Sequence, residues 1–584
     1  GENVKVYPVD KWEYKESECN NNSFLGWCFQ DSDVYKWIEA VAYSLSNTKD
    51  SKLENECDEI IDLISLAQME NGYLDTLYII NDRSKIFTNL KDRHELYCFG
   101  HLCEAGVAYY NSTGKNKLLN CAIKFADLIC ETFNESGLKG YPGHEIAELA
   151  LIKLYKLTHN KKYLDTAEFF ILQRGTKPYY FDKERGYRRE NDSIDYTYNQ
   201  AHIPPIEQSE AVGHAVRGVY LYSGMADVAK ETENDKLLSA CEKIWKDIEE
   251  RKMYITGGIG SAAKGETFTV AYDLPNLEAY SESCAALGLQ LFALSMQQTA
   301  LDHRFADVIE RVMYNNMLSS TSIDGKAFFY ENELEIHLAD VNKETALYEH
   351  ARAHLPLRHR LEVFGCSGCP PNINRLFARV GDFFFSEYEN SLVVNQYADL
   401  TLKNEKANIK VTTKYPVDGV VKFTVTDCKY DKILLRKPEW CDDFAVKNAA
   451  FTEKDGYIEI NGSEKEFTVD FKMQPYFVEA NPCVRADNGR VALCYGPTVY
   501  CLERLDNPCE LNALSVDVNG KIALTNADEY PMYNLEAKGF ADENFNSLYR
   551  KAAFAFSPVT LKFRPYWTFA NREECDMLVW IRRK

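Results

Sequence analysis

The hydrophobic period of the chain changes once, near residue 390, and that change constrains the fold more than any single motif. Before it, apolar residues recur three and four positions apart over 34–45, 55–69, 94–110, 118–132, 145–158, 162–173, 207–229, 236–252, 278–296, 304–317 and 373–385, the spacing of amphipathic helices. After it, 394–402, 409–413, 420–426, 433–436, 466–471, 490–495, 499–502 and 578–581 read as strands, with Val421, Phe423 and Val425 alternating against polar neighbours. Asp418-Gly419, Asp455-Gly456 and Asn488-Gly489 supply turns between them. The expected class is therefore mainly α, then β. So many helices joined by short loops exceed what one bundle holds, and a toroid of paired helices, the (α/α)6 barrel, accommodates them. Residues 1–388 are expected to form that barrel and residues 389–584 one or two β-sandwich domains. No linker, internal repeat or low-complexity tract separates them, so the sandwich should be bound to the barrel rather than tethered to it.

Charge narrows the partners. The 67 basic and 88 acidic side chains leave a net charge of −21, which excludes nucleic acid and anionic membrane as main partners. No apolar run approaches the length of a bilayer span. The 18 cysteines are scattered without the spacing of a disulfide framework, the pattern of reduced thiols in a cytoplasmic protein, although a chain that begins at Gly1 leaves room for a removed leader. Aromatics reach 13%, with 37 Tyr and 31 Phe, a supply useful to a carbohydrate cleft and equally to large cores.

Gly365-Cys366-Ser367-Gly368-Cys369-Pro370-Pro371-Asn372 is a tight turn that can aim two sulfurs at one point, as a zinc ligand pair, a disulfide or a reactive thiol. Glu282 and Cys284 cannot share a face of a regular helix, because each step turns about 100°. They can converge at a bend or at a helix start, the latter made available by Pro275-Asn276 upstream, and with Cys366 and Cys369 they would give one oxygen and three sulfurs for tetrahedral Zn2+. Thr256-Gly257-Gly258-Ile259-Gly260 lacks the strand and lysine of a phosphate loop, so it reads as a flexible turn that lets backbone approach a ligand. Glu266 follows it, sixteen residues before Glu282, and two carboxylates near one pocket suit general acid/base work on a glycosidic bond. His94, His101, His144, His202 and His214 all fall in the helical part and suggest a polar pocket for hydroxyls, with Tyr330 adding a phenol.

These motifs together resemble glycoside hydrolase family 127, the β-L-arabinofuranosidases with a cysteine nucleophile at a zinc site. The resemblance runs through Asp31-Ser32-Asp33-Val34-Tyr35-Lys36-Trp37, His94-Glu95-Leu96-Tyr97, Gly143-His144-Glu145, the stretch from Glu207 to Arg217, Gly265-Glu266, Glu282-Ser283-Cys284, Cys369-Pro370-Pro371-Asn372 and Tyr495-Gly496-Pro497. It implies that the barrel is the catalytic domain, that Glu266 is the acid/base, that Glu282, Cys284 and Cys369 bind zinc, and that His144, His214 and Tyr330 line the sugar site with His94 and Glu310.

One position departs. The family reads Cys-x-Cys-Cys-Pro-Pro-Asn, and its middle cysteine, both zinc ligand and nucleophile, is Gly368 here. Cys366 is expected to take over both tasks, since Cys-x-x-Cys is a common zinc spacing and Gly368 frees the turn to bend. The expected function is a zinc-dependent retaining exo-glycosidase acting on β-L-arabinofuranosides or a related sugar, with a small carbohydrate as partner and the C-terminal sandwich as the surface through which a homodimer could form. A carbohydrate-binding homologue with lost or altered catalysis, and a barrel epimerase that works with histidines, are the competing readings.

Overall fold

The computed structural model describes residues 8–9, 24, 26–185, 195–339, 358–507, 509–542, 548–549, 551 and 556–584. Its first two thirds are helical: α1 (Asp31–Asn47), α2 (Ser51–Ala67), α3 (Thr76–Asn81), α4 (Glu95–Thr113), α5 (Lys117–Thr132), α6 (Ala147–Thr158), α7 (Lys161–Gln173), α8 (Tyr180–Arg185), α9 (Ala215–Glu231), α10 (Asp235–Arg251), α11 (Ser283–Gln297), α12 (His303–Val312) and α13 (Cys369–Ala378). Outer helices start where a side chain can satisfy the unpaired amides of the first turn. Asp50 accepts from the backbone N–H groups of Lys52 and Leu53 at 3.1 and 3.0 Å, and Asn160, Asn234 and Asp302 do the same for α7, α10 and α12.

Six helices close a ring. α1 packs on α4, α4 on α6, α6 on α9, α9 on α11, α11 on α13, and α13 returns to α1. α2, α5, α7, α10 and α12 lie outside, each against a ring helix. The ring helices are buried nearly all round: every residue from Glu95 to Tyr109 in α4 and from Ala215 to Ala229 in α9 is buried. They also run in one direction. Residues beside their N-termini, among them Phe29, His94, His144, His214, Glu282 and Gly368, line one cavity, whereas C-terminal residues such as Ser46, Ser112, Leu157 and Arg379 line another. The first mouth therefore collects the positive ends of six helix dipoles.

The last third is β. Leu400–Lys403, Ala407–Thr413, Val420–Cys428, Glu466–Asp470 and Ala445–Lys447 form one five-stranded sheet; Phe385–Tyr388, Ser391–Val394, Lys432–Arg436, Tyr457–Asn461 and Phe451–Lys454 form a second. Alternating residues of both, including Ile409, Val411, Val421, Phe423, Ile433, Leu435, Ile458 and Ile460, share one core. The strands from Pro475–Val478 onward build a larger sheet around the hairpin of Tyr533–Asp542 with Phe556–Pro565. Glu335–Ile336, from the helical part, pairs with Met577–Leu578 at its edge, so the two parts are joined by backbone hydrogen bonds as well as by packing.

Several boundaries differ from the sequence expectation. α9 starts at Ala215 rather than near 207, because 207–214 leaves the helix to shape a loop that ends in His214. α11 starts at Ser283 rather than 278, and α13 covers Cys369–Ala378, with Phe385–Tyr388 already a strand. The stretch 394–402 is two strands, Ser391–Val394 and Leu400–Lys403, in different sheets.

Candidate active site

The cavity at the N-terminal mouth has a volume of about 290 Å³ and is lined by Trp27, Phe29, His94, Tyr97, His144, Tyr198, His214, Val216, Arg217, Glu266, Glu282, Cys284, Tyr330, Cys366 and Gly368. Its polar groups come from helix starts. His94 precedes α4, His214 is the N-cap of α9, Glu282 the N-cap of α11 with Cys284 in its first turn, and Gly368 the N-cap of α13, followed by Cys369. The backbone is strained beside them: Glu266 has φ 57°, Ser281 φ 41° and Ile146 φ 156°, values non-glycine residues rarely adopt.

Glu266 is held at two points. Tyr280 donates its hydroxyl to Oε1 at 2.8 Å, and the His214 Nε2 lies 2.7 Å from Oε2. The histidine tautomer follows from the cap. His214 Nδ1 accepts from the Arg217 backbone N–H at 3.3 Å, so the ring proton sits on Nε2 and is donated to the carboxylate. Burial keeps His214 below the ordinary histidine pKa, although Glu266 pulls the other way. His94 and His144 stand well below it, again through burial, with Arg217 adding to the effect. A row of neutral rings results: His94 to His144 is 5.4 Å between centroids, His144 to His214 is 5.5 Å, and Tyr97 packs 4.3 Å from His144. Neutral imidazoles offer both a donor and an acceptor, which suits sugar hydroxyls.

Beneath the cavity, ligand atoms of Glu282, Cys284 and Cys369 all lie within 4.8 Å of one another. Cys369 Sγ is 3.1 Å from Glu282 Oε1. Burial raises Glu282 and Cys369 well above their ordinary values, so both hold protons; for Cys284 burial acts the same way but is outweighed by Cys369, Lys36 and Asn372, and its thiol is lowered. One buried carboxyl and two thiols whose protons a divalent cation would displace form a donor set that fits zinc. The i,i+2 pair Glu282 and Cys284 meets because one residue is the cap and the other lies in the first turn.

Two expectations are corrected. Cys366 lines the cavity, but its sulfur stands outside this donor cluster: it belongs to the bend before α13 and lies 3.9 Å from the Tyr330 hydroxyl, and burial pushes its thiol up to about 12. Glu310 does not reach the cavity at all. It is buried on α12, where it accepts from Arg436 Nη2 at 2.7 Å, Trp440 Nε1 at 3.3 Å and the Tyr415 hydroxyl, and it fastens the helical part to the first pair of sheets. The remaining expected residues, Glu266, His94, His144, His214, Tyr330, Glu282 and Cys284, share the cavity, with Cys369 just beneath it.

Sequence reasoning missed several residues in the cavity wall and behind it. Lys36 is 1% exposed and donates to the Gly368 carbonyl at 3.1 Å, placing a cation under the turn. Arg217 stacks over Tyr198 at 4.9 Å and donates to the Gly143 carbonyl. Both sit inside stretches already noted as motifs, so position in a motif was the signal. Trp27 and Phe29 carried none, because nothing local says that the segment before α1 folds across the mouth.

The comparisons with known proteins agree with this geometry. Residues 2–382 match the GH127 catalytic domain of β-L-arabinofuranosidases, 391–473 the GH127 middle domain and 475–582 the family 127 C-terminal domain. A non-reducing end β-L-arabinofuranosidase of Bifidobacterium longum is 36% identical, over 96% of this chain and 90% of its own. The crystal structure of a GH127 β-L-arabinofuranosidase from Geobacillus stearothermophilus T6 superposes with a TM-score of 0.91 at 39% identity, covering 97% of this chain and 92% of that one. A further GH127 β-arabinofuranosidase gives 0.82 at 33% identity, over 100% of this chain and 91% of that one. With three family models in order along one chain, relatives similar over nearly its whole length, and a carboxylate, imidazoles and thiols gathered at one mouth of a helical ring, the protein belongs to glycoside hydrolase family 127 and is a glycoside hydrolase.

Proposed function

We propose that the chain removes β-L-arabinofuranosyl units from the non-reducing ends of glycans, with retention of configuration. The observation that carries this is the clamped Glu266 in the same cavity as Glu282, Cys284 and Cys366. The cavity is of single-sugar size, about 290 Å³, which favours an exo mode. In this reading the helical ring is an (α/α)6-barrel catalytic domain over 1–388, and 389–584 are one or two sandwich domains that brace it.

The chain's own residues divide the work. His94 and His144 bind sugar hydroxyls, His214 lines the same pocket while holding Glu266, and Trp27, Phe29 and Tyr97 give the ring an apolar wall and exclude water. The Cys366 thiol first releases its proton to solvent; its sulfur then attacks the anomeric carbon while Glu266 gives its own proton to the leaving oxygen, so a C–S bond forms as the C–O bond breaks. Glu266 then takes a proton from water, which attacks the same carbon and releases the thiolate. The His214 N–H and Tyr280 hydroxyl hold the carboxyl in place through both steps. A zinc ion held by Glu282, Cys284 and Cys369 would supply positive charge beside the cavity and favour ionised sulfur there.

A second reading rests on Gly368. A side chain there would meet only the Tyr330 hydroxyl, at 3.4 Å from its Cβ, so the place where the family carries its nucleophile is open. Under that reading attack comes from something other than a sulfur of this turn. Turnover of an aryl β-L-arabinofuranoside against a panel of other aryl glycosides, together with metal analysis, tests the substrate. Cys366→Ser tests the nucleophile: a loss of about 10³-fold or more is expected, and unchanged turnover favours the second reading.

A further inference from the structure

Where α12 meets both β units lies a separate cavity of about 240 Å³, lined by Ile255, Asp307, Glu310, Arg311, Glu439, Trp440, Tyr476, Val478, Cys494, Pro497 and Val499. None of these residues lines the catalytic cavity. We propose that this junction cavity is a second, non-catalytic binding site that takes one neutral sugar ring.

Three observations carry it. Trp440 and Tyr476 have their polar tips tied back, Trp440 Nε1 to Glu310 Oε2 at 3.3 Å and the Tyr476 hydroxyl to the Gly496 carbonyl at 3.0 Å, so what they offer the cavity is ring carbon. Ring carbon is the surface on which the C–H face of a sugar packs. Next, Arg311 Nη2 pairs with Glu439 Oε2 at 2.6 Å and makes no other side-chain hydrogen bond among the described residues. Its remaining N–H groups and the 63% exposed Glu439 carboxylate set donors and an acceptor side by side, the combination a pair of vicinal hydroxyls needs. Finally, the backing is rigid. Arg436 locks Asp307 and Glu310 behind the wall, and Tyr476 and Cys494 lie on the paired strands Pro475–Val478 and Arg490–Tyr495.

The volume decides the size of the ligand. Pockets for larger molecules begin at about 300 Å³, so a single ring fits and a chain must leave through the side of Glu439. Arg436 pairs with Asp307 and Glu310, and Arg311 with Glu439, so the charges of the wall are largely offset and a neutral ligand is favoured. The inference does not depend on which bond the catalytic cavity cuts.

Calorimetric titration of the full chain with L-arabinose, D-xylose and D-galactose tests it, alongside Arg311→Ala, Glu439→Gln and His214→Ala. At least one sugar should bind at a site that Arg311→Ala weakens about tenfold or more while leaving hydrolysis and melting temperature unchanged. Glu439→Gln, which is exposed and folds in any case, should weaken the same site by less, and His214→Ala should leave it intact. The proposal is overturned if none of the sugars binds outside the site that His214→Ala removes, or if Arg311→Ala and Glu439→Gln bind as the unaltered chain does. Loss of turnover in parallel with binding in Arg311→Ala would also overturn it, since the residue would then act on the catalytic cavity. Failure of hydrolysis with the second site present would instead count against the arabinofuranosidase reading alone.

Discussion

The catalytic mouth and the helix-to-sheet junction are built from the same residue types and are used in opposite ways. At the mouth, Glu266 is 30% exposed and faces open volume, with a neutral imidazole and a phenol as partners. At the junction, Glu310 is 3% exposed and its partners are Arg436, Trp440 and Tyr415. A carboxylate facing a cavity between neutral donors can give and take a proton; one bound by a buried guanidinium and two neutral donors, away from the catalytic cavity, fixes geometry. Residue type therefore assigns neither role. What lies on the other side of the carboxyl does.

The sharpest way to break this contrast is to remove the carboxyl at the mouth. Glu266→Gln keeps the hydrogen bonds to Tyr280 and His214 in shape but cannot move a proton, so kcat should fall by about 10²–10⁴-fold with the melting temperature nearly unchanged. Turnover of an aryl arabinofuranoside beside a thermal melt reads both quantities. A large loss of stability with activity retained would reverse the assignment.

The mirror experiment at the junction is Arg436→Met. Arg436 is fully buried and serves Asp307 and Glu310 together, so its loss removes the guanidinium from both and leaves Glu310 with the neutral donors Trp440 and Tyr415 and Asp307 with His303. The cost should be about 3–5 kcal/mol in urea unfolding, with turnover per folded molecule unchanged. A variant as stable as the parent would mean that the junction ion pairs are ornamental and that the strand pairing of Glu335–Ile336 with Met577–Leu578 carries the joint.

How much of this was legible in the sequence depends on range. Period reports which neighbours a residue has along its own helix or strand, so the change near residue 390 located the passage from helices to sheets, whereas the helix expected from 278 starts at Ser283, between Glu282 and Cys284. It does not report which face a side chain presents to a distant element, so it could not correct the placing of Glu310 at the sugar site, which only the family resemblance implies. Lys36 and Arg217 escaped for the same reason, since a buried cation looks like a surface one until the turn it serves is folded over it. The hairpin of Tyr533–Asp542 with Phe556–Pro565 escaped differently. Its inward residues on the first strand are Leu535, Ala537, Gly539 and Ala541, an alternation in which only one side chain is large enough to register as apolar.

Glu95 sharpens the comparison from within the ring, because it is a buried carboxyl with neither an open cavity nor a cation. It accepts from the Tyr73 hydroxyl at 2.6 Å and the Phe87 backbone N–H at 3.0 Å, while Oε2 is buried without a hydrogen-bond partner among the described residues. Burial outweighs those two hydrogen bonds and raises its pKa from 4.5 to about 7. The sign of the pH effect follows. Between about pH 4.5 and pH 7 the folded chain holds a proton that the unfolded chain has released, so the favourable contribution present below that window is lost as pH rises through it. The full loss is on the order of 3 kcal/mol. Glu95→Gln, which cannot ionise, should remove that fall. The stability difference between variant and parent, followed by urea unfolding at stepwise pH, should tilt toward the variant as the window is crossed and stay level outside it. A difference flat with pH would mean that Glu95 is ionised in the folded chain, and that two neutral hydrogen bonds suffice to hold a buried charge where the junction uses Arg436.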